Sequence, residues 1–177
     1  KDELNLNESL PQGFSSYVAL VIGGQHATKM LPKEKLKQII LGLKKPVVIL
    51  GGPEDQERGE WLLEQCSGQP VFNACGKFNL NQSAFLVKMA DQVITHDTGL
   101  MHIAAAFQKN IFSLWGNTVP DLGMYPYLPG KKSQVFEVEN LSCRPCSKIG
   151  FKECPKGHFD CMEKQNLPEL IDTVNEA

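Results

Sequence analysis

The stretch "HDTGLMHIAAA" (96–106) places an acid, a hydroxyl, a glycine and two imidazoles within its first seven residues. It follows the apolar run "QVIT" (92–95) and opens an Ala-rich helical pattern. A helix start offers unpaired N–H groups and the positive end of the helix dipole, which together favour an anion. Gly99 lets the backbone approach such an anion closely, and Thr98 adds a hydroxyl donor. His102 lies four residues beyond Thr98, on the same face of the first turn. These three groups suit a phosphate or diphosphate. Asp97 would repel an anion and suits the hydroxyls of a sugar instead. The plain alternative is that Asp97 caps the helix and His102 packs in the core.

Two further residues fall where the same ligand would need them. Lys29 sits in "GGQHATK", after an apolar run, and a cation there would neutralise phosphate oxygens and a departing diphosphate. Glu54 sits in "GGPED", after a second such run, and reads either as an exposed charge at a helix start or as an acceptor for ribose hydroxyls. Neither loop is the G-x-G-x-x-G dinucleotide fingerprint, and neither is a Walker A loop.

The elements that must position these residues follow from periodicity. "YVALVI" (17–22), "PVVIL" (46–50), "VFNA" (71–74), "QVIT" (92–95), "NIFSLW" (110–115) and "QVFEV" (134–138) read as strands. Leu36, Ile39, Ile40 and Leu43 mark one face of a helix that Pro32 suits at its first turn. Residues 54–66 read as helical. Asn81 is placed to cap a helix through Ala90, with Phe85, Leu86 and Met89 on its inner side. Helices are expected at 99–107 and from Pro168. This alternation predicts an α/β fold, a Rossmann-like, doubly wound parallel sheet covered on both faces. Ligands bind such sheets beyond the carboxyl ends of the strands, and the five loops "GGQHATK", "GGPED", "CGKFN", "HDTG" and "WGNT" should share that edge. The Pro- and Gly-rich segment 116–133 breaks the alternation and is either a functional loop or a cover over the sheet edge.

The 177 residues suffice for one ordinary domain. A formal net charge of −2 gives no case for nucleic-acid binding. No apolar run approaches the ~20 residues of a membrane span. The polar residues 1–16 read as a linker from a further domain upstream, 17–165 as the ligand-binding domain and 166–177 as a C-terminal helix. Cys66 and Cys75 read as buried small hydrophobes. Cys143, Cys146, Cys154 and Cys161, with His158 between, could hold a structural zinc, although only the C-x-x-C start has familiar spacing. Reduced thiols and disulfides are the other two readings. Arg144, Lys148, Lys152 and Lys156 form a basic segment that is either solvated or able to approach an anionic lipid surface.

"DTGLMHIAAAF", "IFSLWGNTVPDLGMYPY", "QHATKMLP" and "GGPEDQE" together resemble the C-terminal domain of the lipopolysaccharide heptosyltransferases, glycosyltransferase family 9. "CRPCSKIGFKECPKGHFDCM" also resembles a segment of these enzymes, and the likeness spans residues 17–165. The resemblance implies one half of a GT-B glycosyltransferase, in which two Rossmann-like domains face a cleft. This half would bind the donor ADP-L-glycero-D-manno-heptose. The other half would bind the lipid A-core acceptor and supply the base for an inverting transfer that needs no catalytic metal. By position, Lys29 and Thr28 would meet the diphosphate, with Thr98, Gly99 and His102 beside it, Asp97 on the sugar and Glu54 on the ribose. The place of work would be the cytoplasm, at the inner face of the inner membrane, with at most peripheral membrane contact. The alternative function is a non-catalytic nucleotide or nucleotide-sugar binding module of the same fold; a zinc-stabilised interaction domain has only the cysteines in its favour.

Overall fold

The computed structural model describes residues 10–177. Six parallel strands form one sheet: β1 (Val18–Val21), β2 (Val47–Leu50), β3 (Val71–Asn73), β4 (Gln92–His96), β5 (Asn110–Trp115) and β6 (Gln134–Glu137). Their spatial order is β3-β2-β1-β4-β5-β6, so the direction of winding reverses between β1 and β4. β1 lies in register with both neighbours, Val18 opposite Val47 on one side and Gln92 on the other. β1 and β2 are buried at every position, as continuous apolar runs in a sheet covered on both faces should be.

Two cores result, one on each face. One gathers Leu20, Ile22 and Ile49 of the sheet region with Leu36, Ile39 and Ile40 of helix α1 (Lys33–Gly42) and Leu170 of α6 (Leu167–Glu176). The other gathers Ala19, Val21, Val48 and Trp115 with Leu86 and Val87 of α3 (Leu80–Met89) and Met101 and Ala104 of α4 (Gly99–Ala106). Each large aliphatic side chain so buried contributes about 1.5–3 kcal/mol, which is what holds the strand ends rigid enough to carry a site. Helix α2 (Gln56–Gln65) covers β2 and β3, preceded by a short 3₁₀ turn at Pro53–Asp55.

Four local expectations change. The cap of α3 is Asn79, whose side chain accepts from the Gln82 N–H at 2.9 Å, and Asn81 lies inside the helix. Met89 is exposed, because α3 turns Leu86 and Val87 inward instead. A one-turn helix α5 (Asp160–Glu163) was not visible in the periodicity, since one turn is too short to show any. Part of the expected linker is core: Phe14 is buried beside Tyr17 and meets Phe72 edge-on, with ring centroids 6.3 Å apart. Residues 1–9 lie outside the described residues.

Candidate functional site

The loops leaving β1 and β4 flank the point where the winding reverses, the crevice in which doubly wound sheets bind ligands. Lys29 ends the 3₁₀ turn Ala27–Lys29 after β1, and Asp97 follows β4 directly. Their side chains meet, with Nζ 2.7 Å from Oδ2. Both are largely withdrawn from water, 13 % and 4 % exposed. The Thr118 hydroxyl donates to the same carboxylate oxygen at 3.1 Å. Asp97 is therefore not the helix cap: Thr98 holds that position, and its side chain makes no capping bond. The Thr98 hydroxyl lies 3.4 Å from that of Thr95. Gly99 faces open space, with nothing within 4 Å of where a Cβ would stand. His102 is exposed, not packed in the core. The start of α4 thus has an accessible glycine, two side chains at its mouth and a buried ion pair at its base.

The Lys29 loop is fixed from three sides. The Leu31 N–H donates to His96 Nε2 at 3.0 Å, and the Leu31 carbonyl accepts from the Arg58 guanidinium. Arg58 Nη1 also lies 3.6 Å from Met30 Sδ. On the other side, Thr28 N–H and hydroxyl both donate to the Phe151 carbonyl, at 3.2 and 3.1 Å, and the Phe151 N–H donates to the Thr28 hydroxyl at 2.8 Å. Thr28 is buried, and its hydroxyl is occupied in tying the loop to the Cys-rich segment; the arrangement gives it an anchoring part rather than an open face toward a diphosphate. His96, the last residue of β4, is an anchor too. Burial first, and then the Arg58 charge, push its imidazole down to about 3. Because Nε2 accepts, the neutral ring carries its proton on Nδ1, an atom with no partner in the buried site. Its sequence signal was weak, since His96 is one of three polar residues, with Gln92 and Thr95, in a five-residue strand that is buried throughout.

Two carboxylates share the loop after β2. Glu54 is exposed, whereas Asp55 is buried and accepts from the Gly52 N–H at 2.9 Å. Burial raises the Asp55 pKa, against the opposing pull of that N–H. A Cβ on Gly23 would stand 2.2 Å from Asp55 Oδ2, so glycine there is what lets the β1 and β2 loops close on one another. Glu54 is the carboxylate of the two that faces outward.

The cysteines do not assemble as the zinc reading expects. All six are free thiols. Cys146 Sγ donates to the Cys143 carbonyl at 2.7 Å, and Cys143 Sγ lies 3.9 Å from His158 Nε2. Among the described residues no group of three or more His, Cys, Asp or Glu is gathered to hold a metal ion. Burial pushes the Cys161 thiol up to about 11. Neither a zinc set nor a disulfide framework fits. The basic segment also divides: Lys148, Lys152 and Lys156 are exposed, but the Arg144 side chain is only 6 % exposed and is built into the protein.

At the switch point of the doubly wound sheet a lysine–aspartate pair thus lies beside an open helix start, where this class of α/β fold binds its ligands. The chain belongs to glycosyltransferase family 9 (heptosyltransferase), whose model matches residues 3–156. Among curated relatives it is similar to the lipooligosaccharide heptosyltransferase 2 of Haemophilus influenzae, 34 % identical over 121 residues that make up 66 % of this chain and 34 % of the relative. Among solved structures it is similar to the Escherichia coli ADP-heptose lipopolysaccharide heptosyltransferase II, with a TM-score of 0.75 and 20 % identity over 99 % of this chain and 50 % of that one. It is also similar to the E. coli heptosyltransferase WaaC with ADP, with a TM-score of 0.65 and 20 % identity over 98 % of this chain and 48 % of that one. The chain thus spans about a third to a half of the length of these relatives.

Proposed function

We propose that this chain is the donor-binding half of an inverting glycosyltransferase that moves heptose from ADP-heptose to the lipopolysaccharide core. The observation that carries the reading is the Lys29–Asp97 pair beside the open start of α4. Membership of the family supports the class of reaction. The relative solved with ADP is consistent with an adenosine diphosphate donor.

On this reading Lys29 and Asp97 neutralise each other before the donor arrives. Donor binding redistributes them: Lys29 Nζ turns to the diphosphate oxygens, and Asp97 accepts from sugar hydroxyls. As the glycosidic bond breaks, negative charge grows on the leaving diphosphate. A fixed ammonium and the N–H groups of α4 stabilise that charge without reorganisation at the moment of reaction. Thr98 and His102 border the diphosphate, with Gly99 giving it room. Glu54 accepts from the ribose. Asp97, already engaged by Lys29 and Thr118, is poorly placed to serve as general base. A base that activates the acceptor hydroxyl then comes from the acceptor-binding half. No metal enters this scheme. No helix among the described residues is long and apolar enough to cross a membrane; the loop carrying Lys148, Ile149, Phe151 and Lys152 is exposed and suits a peripheral contact with an anionic lipid face.

The test is transfer of heptose from ADP-heptose to a lipopolysaccharide-core acceptor by a two-domain enzyme that carries this chain as its donor-binding half, compared with its Lys29→Ala variant. Transfer by the parent enzyme and a loss of about a hundredfold or more in kcat for the variant are expected, as for removal of other groups that stabilise developing charge. Unchanged kcat in the variant would remove Lys29 from the mechanism.

A further inference from the structure

Arg144 belongs to a basic segment that reads as either solvated or able to approach an anionic lipid surface, yet its side chain is turned into the protein, where it makes five polar contacts beside the candidate site. Its Nε donates to the Gly116 carbonyl at 2.5 Å. Its Nη1 donates to the Val138 carbonyl at 2.8 Å. Its Nη2 donates to the carbonyls of Trp115 at 3.3 Å and Thr118 at 3.1 Å, and to Glu137 Oε2 at 2.9 Å. Two residues on, the Cys146 N–H donates to the Asn117 carbonyl at 3.0 Å. The four consecutive carbonyls from Trp115 to Thr118 therefore all accept from one short turn, residues 144–146. The loop they belong to is buried at Gly116, Asn117 and Thr118, and Thr118 delivers its hydroxyl to Asp97.

We infer that Arg144 is a positioning residue: through the 115–118 loop and Thr118 it holds Asp97 in the orientation that pairs with Lys29. A guanidinium fits this task because its donors are rigid, planar and permanently charged. A lysine carries the same charge on a flexible stem and cannot reach Gly116, Thr118 and Val138 at once. The inference deepens the proposed donor site and rests on that reading for its effect on catalysis, but the Arg144–Thr118–Asp97–Lys29 relay itself is testable without turnover.

The experiment compares the two-domain enzyme that carries this chain with its Arg144→Lys, Thr118→Val and double variants. Pulsed acetylation read by mass spectrometry reports how accessible the Lys29 amine is, and steady-state assays report KM for ADP-heptose and kcat. Lys29 in each single variant should be acetylated at least about fivefold faster, and the donor KM should rise with it. The double variant should add less than about a further twofold, because both changes cut one relay. A folded Arg144→Lys chain with the parent's Lys29 rate would overturn the inference, and so would single effects that multiply in the double variant. If Arg144→Lys does not fold, the same coupling is read from the other end: Thr118→Val should speed hydrogen exchange at Arg144 Nε at least about threefold, and unchanged exchange would overturn it. A parent two-domain enzyme that transfers no heptose would defeat the proposed function while leaving the acetylation result to decide the relay.

Discussion

Lys29 and Asp97 face the same energetic problem that buried ion pairs face elsewhere. Each has given up most of its water, and each depends on the other for compensation. Asp97→Ala should therefore destabilise the chain by about 1–3 kcal/mol, the cost of an uncompensated buried charge that retains some solvent access. Urea unfolding of the two chains measures it. His96 makes a different kind of prediction. Its imidazole is held near 3 in the folded chain against about 6.5 unfolded, so the unfolded chain binds the extra proton between those values. The neutral ring's contribution is complete above about pH 6.5 and is lost as pH falls toward 3. His96→Gln should flatten the dependence of unfolding free energy on pH in that window, by up to about 1.4 kcal/mol per pH unit. A parallel dependence in both chains would mean His96 is not the linked group. The charged residues of this site were legible because loops after parallel strands share one edge. What was not legible was which of them would be occupied by the protein itself. Nothing in "QHATK" says that the Thr28 hydroxyl is bonded to a backbone 123 residues away, or that His96 serves Leu31.

The strands and long helices were readable because their signal is burial, and burial writes a period into the sequence: Leu36, Ile39 and Ile40 are the buried face of α1 as the spacing requires. Caps and single turns were less readable, since Asn79 and Asn81 offer the same side chain two residues apart and only the chain path selects one. Two glycines separate structural from ligand-driven demands on an element. Gly59 in α2 sits against β3, where a Cβ would stand 2.3 Å from Asn73 Oδ1, an atom that also accepts from the Cys75 N–H. Gly59→Ala should cost about 1–3 kcal/mol in unfolding free energy through overpacking. Gly99 opens α4 onto empty space. Gly99→Ala should leave stability within about 1 kcal/mol of the parent, or raise it, since alanine is the better helix former. Its affinity for ADP should nonetheless fall, because the methyl group occupies the approach to the helix start; calorimetric titration and thermal unfolding of one sample test both halves. Equal ADP affinity would move the diphosphate away from α4.

At the scale of the whole molecule, the order β3-β2-β1-β4-β5-β6 is what turns separate loops into a site. Lys29 and Asp97 are far apart in sequence and adjacent only because β1 and β4 are neighbours at the reversal. The Cys-rich segment, read as a metal candidate, instead provides the turn that grips the β5 loop and the Phe151 strap on Thr28. That long-range role had no local signature, since arginine in a basic run looks like a solvated charge until the carbonyls it faces are known. The central claim is tested most directly by calorimetric titration of the chain with ADP, UDP and GDP, repeated on Lys29→Ala. ADP should bind at least about tenfold more tightly than UDP or GDP, and Lys29→Ala should lose about tenfold of that affinity, equivalent to about 1.4 kcal/mol. Equal affinity for the three nucleotides, or an ADP affinity that the loss of Lys29 leaves untouched, would contradict the account.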